Sequence, residues 1–119
     1  MKTTIKQMMM KFPGEKCAML FTATSKTGLL IGTVVLKDFS RGECAEFSRL
    51  FVDEKCRRLG VARALLAAAA DAARKGKASG MSGYVNQTNT EALAFYRREG
   101  FMPVYRFHDG DHLVWRPLL

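Results

Sequence analysis

A chain of 119 residues, 48% of them apolar, is long enough to bury one core without a metal or disulfide staple, and a single domain over 1–119 is expected. Its 19 basic and 11 acidic residues leave a net charge of +8, yet the basic residues are scattered from Lys2 to Arg116, which weighs against a general nucleic-acid-binding surface. The three cysteines, Cys17, Cys44 and Cys56, are odd in number and form no Cys-x-x-Cys pair, so they read as reduced thiols of a cytoplasmic protein.

The opening Met1-Lys2-Thr3-Thr4-Ile5-Lys6 is basic but has no continuous apolar segment and no small-residue cleavage site, so no signal peptide is expected. No apolar run approaches the roughly 20 residues that cross a bilayer. Ile5 to Phe12 is apolar enough for a first strand, and Phe12-Pro13-Gly14-Glu15 signals a turn. Cys17 to Ala23 reads as a second strand, Ser25-Lys26-Thr27-Gly28 as a hairpin turn, and the β-branched Leu29 to Lys37 as a third strand. Asp38 to Glu43 turns the chain into a fourth strand, Ala45 to Val52. A helix follows from about Gly60 to Lys75, with Val61, Leu65, Leu66 and Ala69 at helical spacing, and Gly76 or Gly80 stops it.

Met81 to Val85 is a short strand. Thr88-Asn89-Thr90-Glu91 matches a capping box, so a second helix should start there and end at Gly100, with Ala92, Phe95 and Tyr96 on one face and Phe95 packed inward. Val104 to Phe107 and His112 to Trp115 flank Asp109-Gly110, a strong hairpin signal. The element order is β-β-β-β-α-β-α-β-β.

Chemistry concentrates in Arg57-Arg58-Leu59-Gly60-Val61-Ala62, between the apolar Leu50-Phe51-Val52 and the first helix. The first turn of a helix has N–H groups without intrahelical partners and carries the positive end of the macrodipole. Gly60 and Ala62 leave little side chain there, so a pyrophosphate can approach the backbone while the arginines add charge. A basic helix cap without a ligand is the plainer alternative. His108-Asp109-Gly110-Asp111-His112 looks like a metal cluster, but five residues around a tight turn cannot all converge on one ion, and no metal is expected. Cys56, before two arginines and a helix N-terminus, would have a lowered pKa if exposed, although most such thiols have no role.

Downstream, Asn86-Gln87-Thr88-Asn89-Thr90-Glu91-Ala92-Leu93-Ala94-Phe95-Tyr96-Arg97-Arg98-Glu99-Gly100-Phe101 completes a two-part pattern. The phosphate loop and this Asn-x-x-Ala-x-x-Phe-Tyr-x-x-x-Gly-Phe helix together resemble the GCN5-related N-acetyltransferase (GNAT) family, closely from Glu46 to Phe101 and loosely in the C-terminal hairpin. The resemblance implies an α/β fold, a compact mixed and mostly antiparallel sheet flanked by two helices. Pro13 to Lys16 leaves no room for the helices the family usually inserts between its first two strands. With that cover missing, Met8, Met9, Met10 and Phe12 put apolar side chains on both faces of the first strand. A homodimer would cover them, unless the C-terminal strand with Trp115 and Leu118 folds over them.

The implied activity is acetyl transfer from acetyl-CoA to an amine of a small molecule or a protein, by direct attack on the thioester, without metal or membrane. Carried over residue by residue, Leu50, Phe51 and Val52 pair with the pantetheine arm, and a backbone N–H of Phe51 or Val52 faces the thioester oxygen. Arg57 opens the phosphate motif, and Arg58, Leu59, Gly60, Val61, Ala62 and Arg63 hold the phosphates. Ala62 stands where glycine is common in the family. Tyr96 matches the tyrosine that protonates the departing thiolate, a free phenol near pKa 10 facing a thiol near 8.5. Asn89 matches an asparagine that touches the cofactor, or simply caps its helix. Tyr84 replaces the glutamate that one branch uses as a base. Glu46 matches the fourth-strand glutamate of the histone-modifying branch; it acts through a water, pairs with Arg49 or is merely solvated. A module that binds acetyl-CoA without turnover and a basic nucleic-acid binder are the rival readings.

Overall fold

From Gly32 to Leu36 buried residues alternate with half-buried ones, and Phe21 and Ala23 do the same on the strand before, the period of two that a sheet with one covered face requires. The computed structural model, which describes residues 3–11, 18–38 and 44–118, extends that pattern into seven strands. These are β1 (Thr4–Met10), β2 (Ala18–Thr24), β3 (Leu30–Lys37), β4 (Cys44–Val52), β5 (Gly80–Asn86), β6 (Met102–Arg106) and β7 (Asp111–Pro117), with helices α1 (Val61–Lys75) and α2 (Thr90–Arg98). The observed order is the expected one. The turns expected at Phe12–Glu15 and across 39–43 lie outside the described residues, as does Cys17.

The strands form one sheet in the order β1-β2-β3-β4-β5-β7-β6. Every neighbouring pair is antiparallel except β4 and β5, which α1 connects as a crossover. Most expected ends move by one or two residues. In the last hairpin β6 begins two residues early, at Met102, and so contains Pro103; β6 is an edge strand, where a missing N–H is tolerated. A short 3-10 turn at Glu54–Cys56, not expected, links β4 to the loop before α1.

Both helices pack on the same face. Gly32 faces α1, where an added Cβ would lie 3.0 Å from Leu65 Cδ1 and 3.2 Å from Val61 Cγ1. Gly32 shares its face with Val34 and Leu36, and Leu36 stands opposite Phe47, whose ring lies 5.4 Å from that of Tyr96 on α2. One contiguous core therefore joins Phe21, Val34 and Leu36 to Leu65 and Ala69 of α1 and to Tyr96 and Phe101. The Arg63–Glu99 pair (3.1 Å) ties the start of α1 to the end of α2. No helix among the described residues covers the opposite face, and none is long and apolar enough to cross a membrane.

Phe47 fills the space that Gly83 of β5 leaves empty, and a methyl group built on Gly83 would run into its ring. Gly83→Ala is therefore expected to cost about 1–3 kcal/mol, since overpacking a filled core forces side chains or backbone to shift. A urea unfolding midpoint equal to that of the unsubstituted protein would show that the Phe47 ring does not rest on Gly83.

Candidate active site

β4 and β5 stay together for three rungs only, Cys44–Gly80, Ala45–Met81 and Glu46–Ser82. Beyond Glu46, β4 bends away. Its pairing with β3 shifts between Thr33–Phe51 and Val35–Ser48, so β4 carries one residue more than its partner over that stretch, a β-bulge. Arg49 sits in the bulge at φ 53°, in the left-handed region. The edge of β4 turned toward β5 is left without a partner strand, and the gap is a cleft of about 280 Å³. Phe47, Ser48, Arg49 and Leu50 line one side, Tyr84, Val85 and Asn86 the other, and Asn89, Ala92 and Tyr96 of the α2 segment the end.

The cleft opens at the carboxyl ends of β4 and β5, where each strand leads into a helix, an arrangement that gathers helix N-termini around a ligand. Gly60 precedes α1 at φ 82°, Arg58 is also left-handed at φ 64°, and backbone of this kind makes anion-binding concavities. A Cβ built on Gly60 would meet nothing within 4 Å, so the space before the helix is open. No side chain caps α1, no acidic residue stands in its first turn, and the first N–H bonded back into the helix is that of Ala64, to Gly60 O at 3.0 Å. The arginines are less free than the sequence suggests. Arg57 Nε donates to Val52 O at 3.2 Å, fastening the loop to the end of β4, and Arg63 Nε donates to Glu99 Oε2 at 3.1 Å.

Asn89, not Thr88, caps α2: its Oδ1 accepts from Ala92 N at 3.1 Å, while Thr88 Oγ1 donates to Asn86 Oδ1 at 2.8 Å. The expected capping box does not form because Asn86 has already taken the threonine, and the helix starts at Thr90. Tyr96 is the deepest residue of α2, 7% exposed, and Phe95, expected inward, is half-buried and packs against the same core. Burial pushes the Tyr96 hydroxyl up from 10.0 to about 12. The phenol is thus a weaker acid than a free one, and it keeps its proton throughout the neutral range.

Of the residues singled out in the sequence, the cleft wall contains Leu50, Asn89 and Tyr96. Phe51 and Val52 continue β4 past it, Phe51 exposed and Val52 buried. Glu46 is half-buried at the last shared rung, on the face away from the helices, opposite Lys37, and forms no ion pair with Arg49 among the described residues. The wall also contains Ser48 and Asn86, which the sequence does not mark as site residues, Ala92, expected only on the helix face shared with Phe95 and Tyr96, Arg49, expected only as a partner for Glu46, and Tyr84, expected only as the replacement of a glutamate. The signal available was strand parity around a bulge, which the amino-acid types do not announce. At the hairpin, Gly110 (φ 93°) makes the turn and Asp109 Oδ1 accepts from Asp111 N at 3.0 Å. Among the described residues no three His, Cys, Asp or Glu side chains gather in a way that would hold a metal.

The sequence profile of the acetyltransferase (GNAT) domain matches residues 17–103. Among solved structures, a candidate acyl-CoA N-acyltransferase from Klebsiella pneumoniae superposes with a TM-score of 0.78 at 20% identity, over 86% of this chain and 73% of that one. Ard1 from Thermoplasma volcanium gives 0.73 at 27% identity, over 84% and 70%. The PaiA N-acetyltransferase from Thermoplasma acidophilum, solved with coenzyme A, gives 0.76 at 22% identity, over 84% and 60%. No curated protein sequence matches the chain.

The raised Tyr96 pKa has a consequence for stability. Because the folded value, about 12, lies above the unfolded value of 10.0, the contribution is fully present below pH 10 and is lost as pH rises through 12. Its upper size is about 2–3 kcal/mol. Tyr96→Phe lacks it. The stability of the native chain relative to this variant, from denaturant titrations at successive pH values, should therefore fall between pH 10 and 12. A difference that stays flat over that window would mean that the phenol ionises as freely in the folded chain as in the unfolded one.

Proposed function

This chain belongs to the GNAT acetyltransferase family, and we propose that it acetylates an amine acceptor by direct attack of the amine on the thioester of acetyl-CoA. The observation that carries the reading is the cleft between β4 and β5, with a bare β4 edge on one side, Tyr96 at its end and the uncapped α1 N-terminus beyond β4. The open space before Gly60 and the unpartnered strand edge suit a pyrophosphate and an extended amide-bearing arm. When bound, acetyl-CoA supplies the activated acetyl group.

The chain's own groups then have distinct tasks. Leu50, Phe51 and Val52 hold the arm through their backbone, as an added strand is held, while Leu50 and Val52 pack toward the core. The N–H groups of Arg58, Leu59, Gly60, Val61, Ala62 and Arg63 hold the phosphates. Arg57 orients that loop through Val52 O more than it adds charge. A backbone N–H of Phe51 or Val52 stabilises the oxygen as charge builds on it. Glu46 accepts the proton of the incoming ammonium through a water, so that the nitrogen lone pair forms the N–C bond as the C–S bond breaks; the second proton of that nitrogen leaves to solvent by the same water, and Tyr96 recovers from solvent the proton it gives to sulfur. Tyr96 gives a proton to the leaving sulfur. Its high pKa means that it acts as a hydrogen-bond donor until thiolate charge has developed, rather than as an acid that ionises early. Asn89 spends its Oδ1 on the helix cap, leaving its amide NH₂ to face the cleft.

Exposed Met8 (61%) and Met9 (58%) on opposite faces of edge strand β1 support a homodimer through that edge, and the free thiols of Cys44 and Cys56 suit a cytoplasmic protein. A mass of one chain in sedimentation at micromolar concentration, or a Met8→Lys and Met9→Lys pair that leaves a dimer intact, would remove the dimer from the proposal.

Acetyl-CoA at about a hundredfold over its dissociation constant is expected to stabilise the fold by about 2.7 kcal/mol, read as a thermal shift. Gly60→Asp, which meets no neighbouring atom but strains the left-handed backbone and puts like charge before the helix, should abolish that shift as measured from the variant's own unliganded midpoint. Tyr96→Phe should keep the shift and lower thiol release with an amine acceptor about 10²-fold. A retained shift in Gly60→Asp overturns the phosphate loop. A normal shift without thiol release from any amine leaves a module that binds acetyl-CoA without turnover.

A further inference from the structure

We infer that the acceptor amine is carried on an aromatic or similarly flat apolar body, received by a strip of three aromatic rings on the helix-free face, Tyr84, Phe107 and Tyr105. The inference rests on the acetyl-transfer reading and names the class of acceptor.

Gly83 lies under the Phe47 ring on the helix side, so the next residue, Tyr84, points to the other face. Leu113 of β7 stands opposite both Tyr84 of β5 and Tyr105 of β6, which puts all three on that face. The Tyr84 and Phe107 rings are 5.8 Å apart and tilted, and the Phe107 and Tyr105 rings are 4.7 Å apart edge to face. Tyr84 also lines the cleft. The strip therefore starts where the thioester would be reached and runs outward across the hairpin. On the helix side Tyr96, Phe47 and Val85 close the cleft, so the helix-free face is the open approach for a second substrate.

The rings are not spent on the fold. Tyr84 is 54% exposed, Tyr105 58% and Phe107 36%, an amount of bare aromatic surface beside a cleft that marks a binding site. Alternation turns Arg106 and Arg116 to the helix side, opposite His112 and Met81, and Arg116 sits over the Phe101 ring there. Glu46 is on the strip's own face. An aryl body can stack on Phe107 and Tyr105 while its ammonium lies against the Tyr84 face, on the side of the sheet that carries Glu46 and away from Arg106 and Arg116, although Arg49 lines the same cleft and Lys37 stands opposite Glu46.

The test compares 2-phenylethylamine with n-butylamine, by thiol release and by calorimetric titration into the protein loaded with coenzyme A. The arylalkyl amine should have a KM and a dissociation constant about tenfold lower. Phe107→Ala and Tyr105→Ala should bring the two amines to parity without changing the dissociation constant of acetyl-CoA, which also shows that the variants are folded. Parity in the unsubstituted protein, a preference that survives both substitutions, or failure of both amines to bind the loaded protein overturns the proposal. So does a halved mass in the variants, which would make the strip a self-association face. Failure of acetyl-CoA itself to bind would instead overturn the transferase reading, and the acceptor strip with it.

Discussion

The functional half of this molecule depends on β4 leaving β5 after the Glu46–Ser82 rung. A single inserted residue causes it. The bulge bends the strand and resets its alternation, so that Phe47 and Val52 both face the core although they are an odd number of residues apart. Arg49 bears the local cost, since a left-handed backbone disfavours a residue with a Cβ by about 1–2 kcal/mol. The Phe47 ring, seated on Gly83, holds the wedge at its base. Above it the bare strand edge must find partners in water or in a ligand, because unpaired backbone groups are tolerated only where something satisfies them.

That arrangement separates recognition from packing. A strand edge and a helix N-terminus bind through the main chain, so the side chains of β4 and α1 stay free to build the core, as Val52, Val61 and Leu65 do. The arginines serve architecture as much as charge: Arg57 fixes the loop to β4, and Arg63 spans from α1 to Glu99. The Arg63 end of that pair is largely exposed, so the pair adds little to stability, but it fixes where the two helix ends stand relative to each other. Site polarity therefore rests on oriented amides and helix ends, which need no rearrangement when an anion arrives.

Much of this was legible in the sequence. Helical spacing over Val61, Leu65, Leu66 and Ala69 located α1, a β-branched run located β3, and Asp109-Gly110 located the last hairpin, because each is a local preference that the packed structure also satisfies. The misses are cases where a tertiary contact decided among local options. Thr88 is as good a cap as Asn89 until Asn86, held by Asp111 across the β5–β7 pair, takes its hydroxyl. Phe95 and Tyr96 both pack toward the core from α2, as expected, and it is the position of Phe47 across the core that makes Tyr96 the deeper of the two. The bulge at Arg49 arises from pairing between β3 and β4, and nothing in Ser48-Arg49-Leu50 announces it.

The two faces of the sheet also set the order of proton movements in the proposed reaction. Glu46 lies on the helix-free face and Tyr96 on the helix side, so the group that takes the amine proton and the group that gives one to sulfur are divided by the plane of the sheet. The cleft is the passage between them. A proton accepted at Glu46 need not be the one that Tyr96 releases, and each side can re-equilibrate with solvent through its own opening. In that reaction, burial that raises the Tyr96 pKa makes the phenol a reluctant acid, so that proton transfer to sulfur waits on the bond that is breaking.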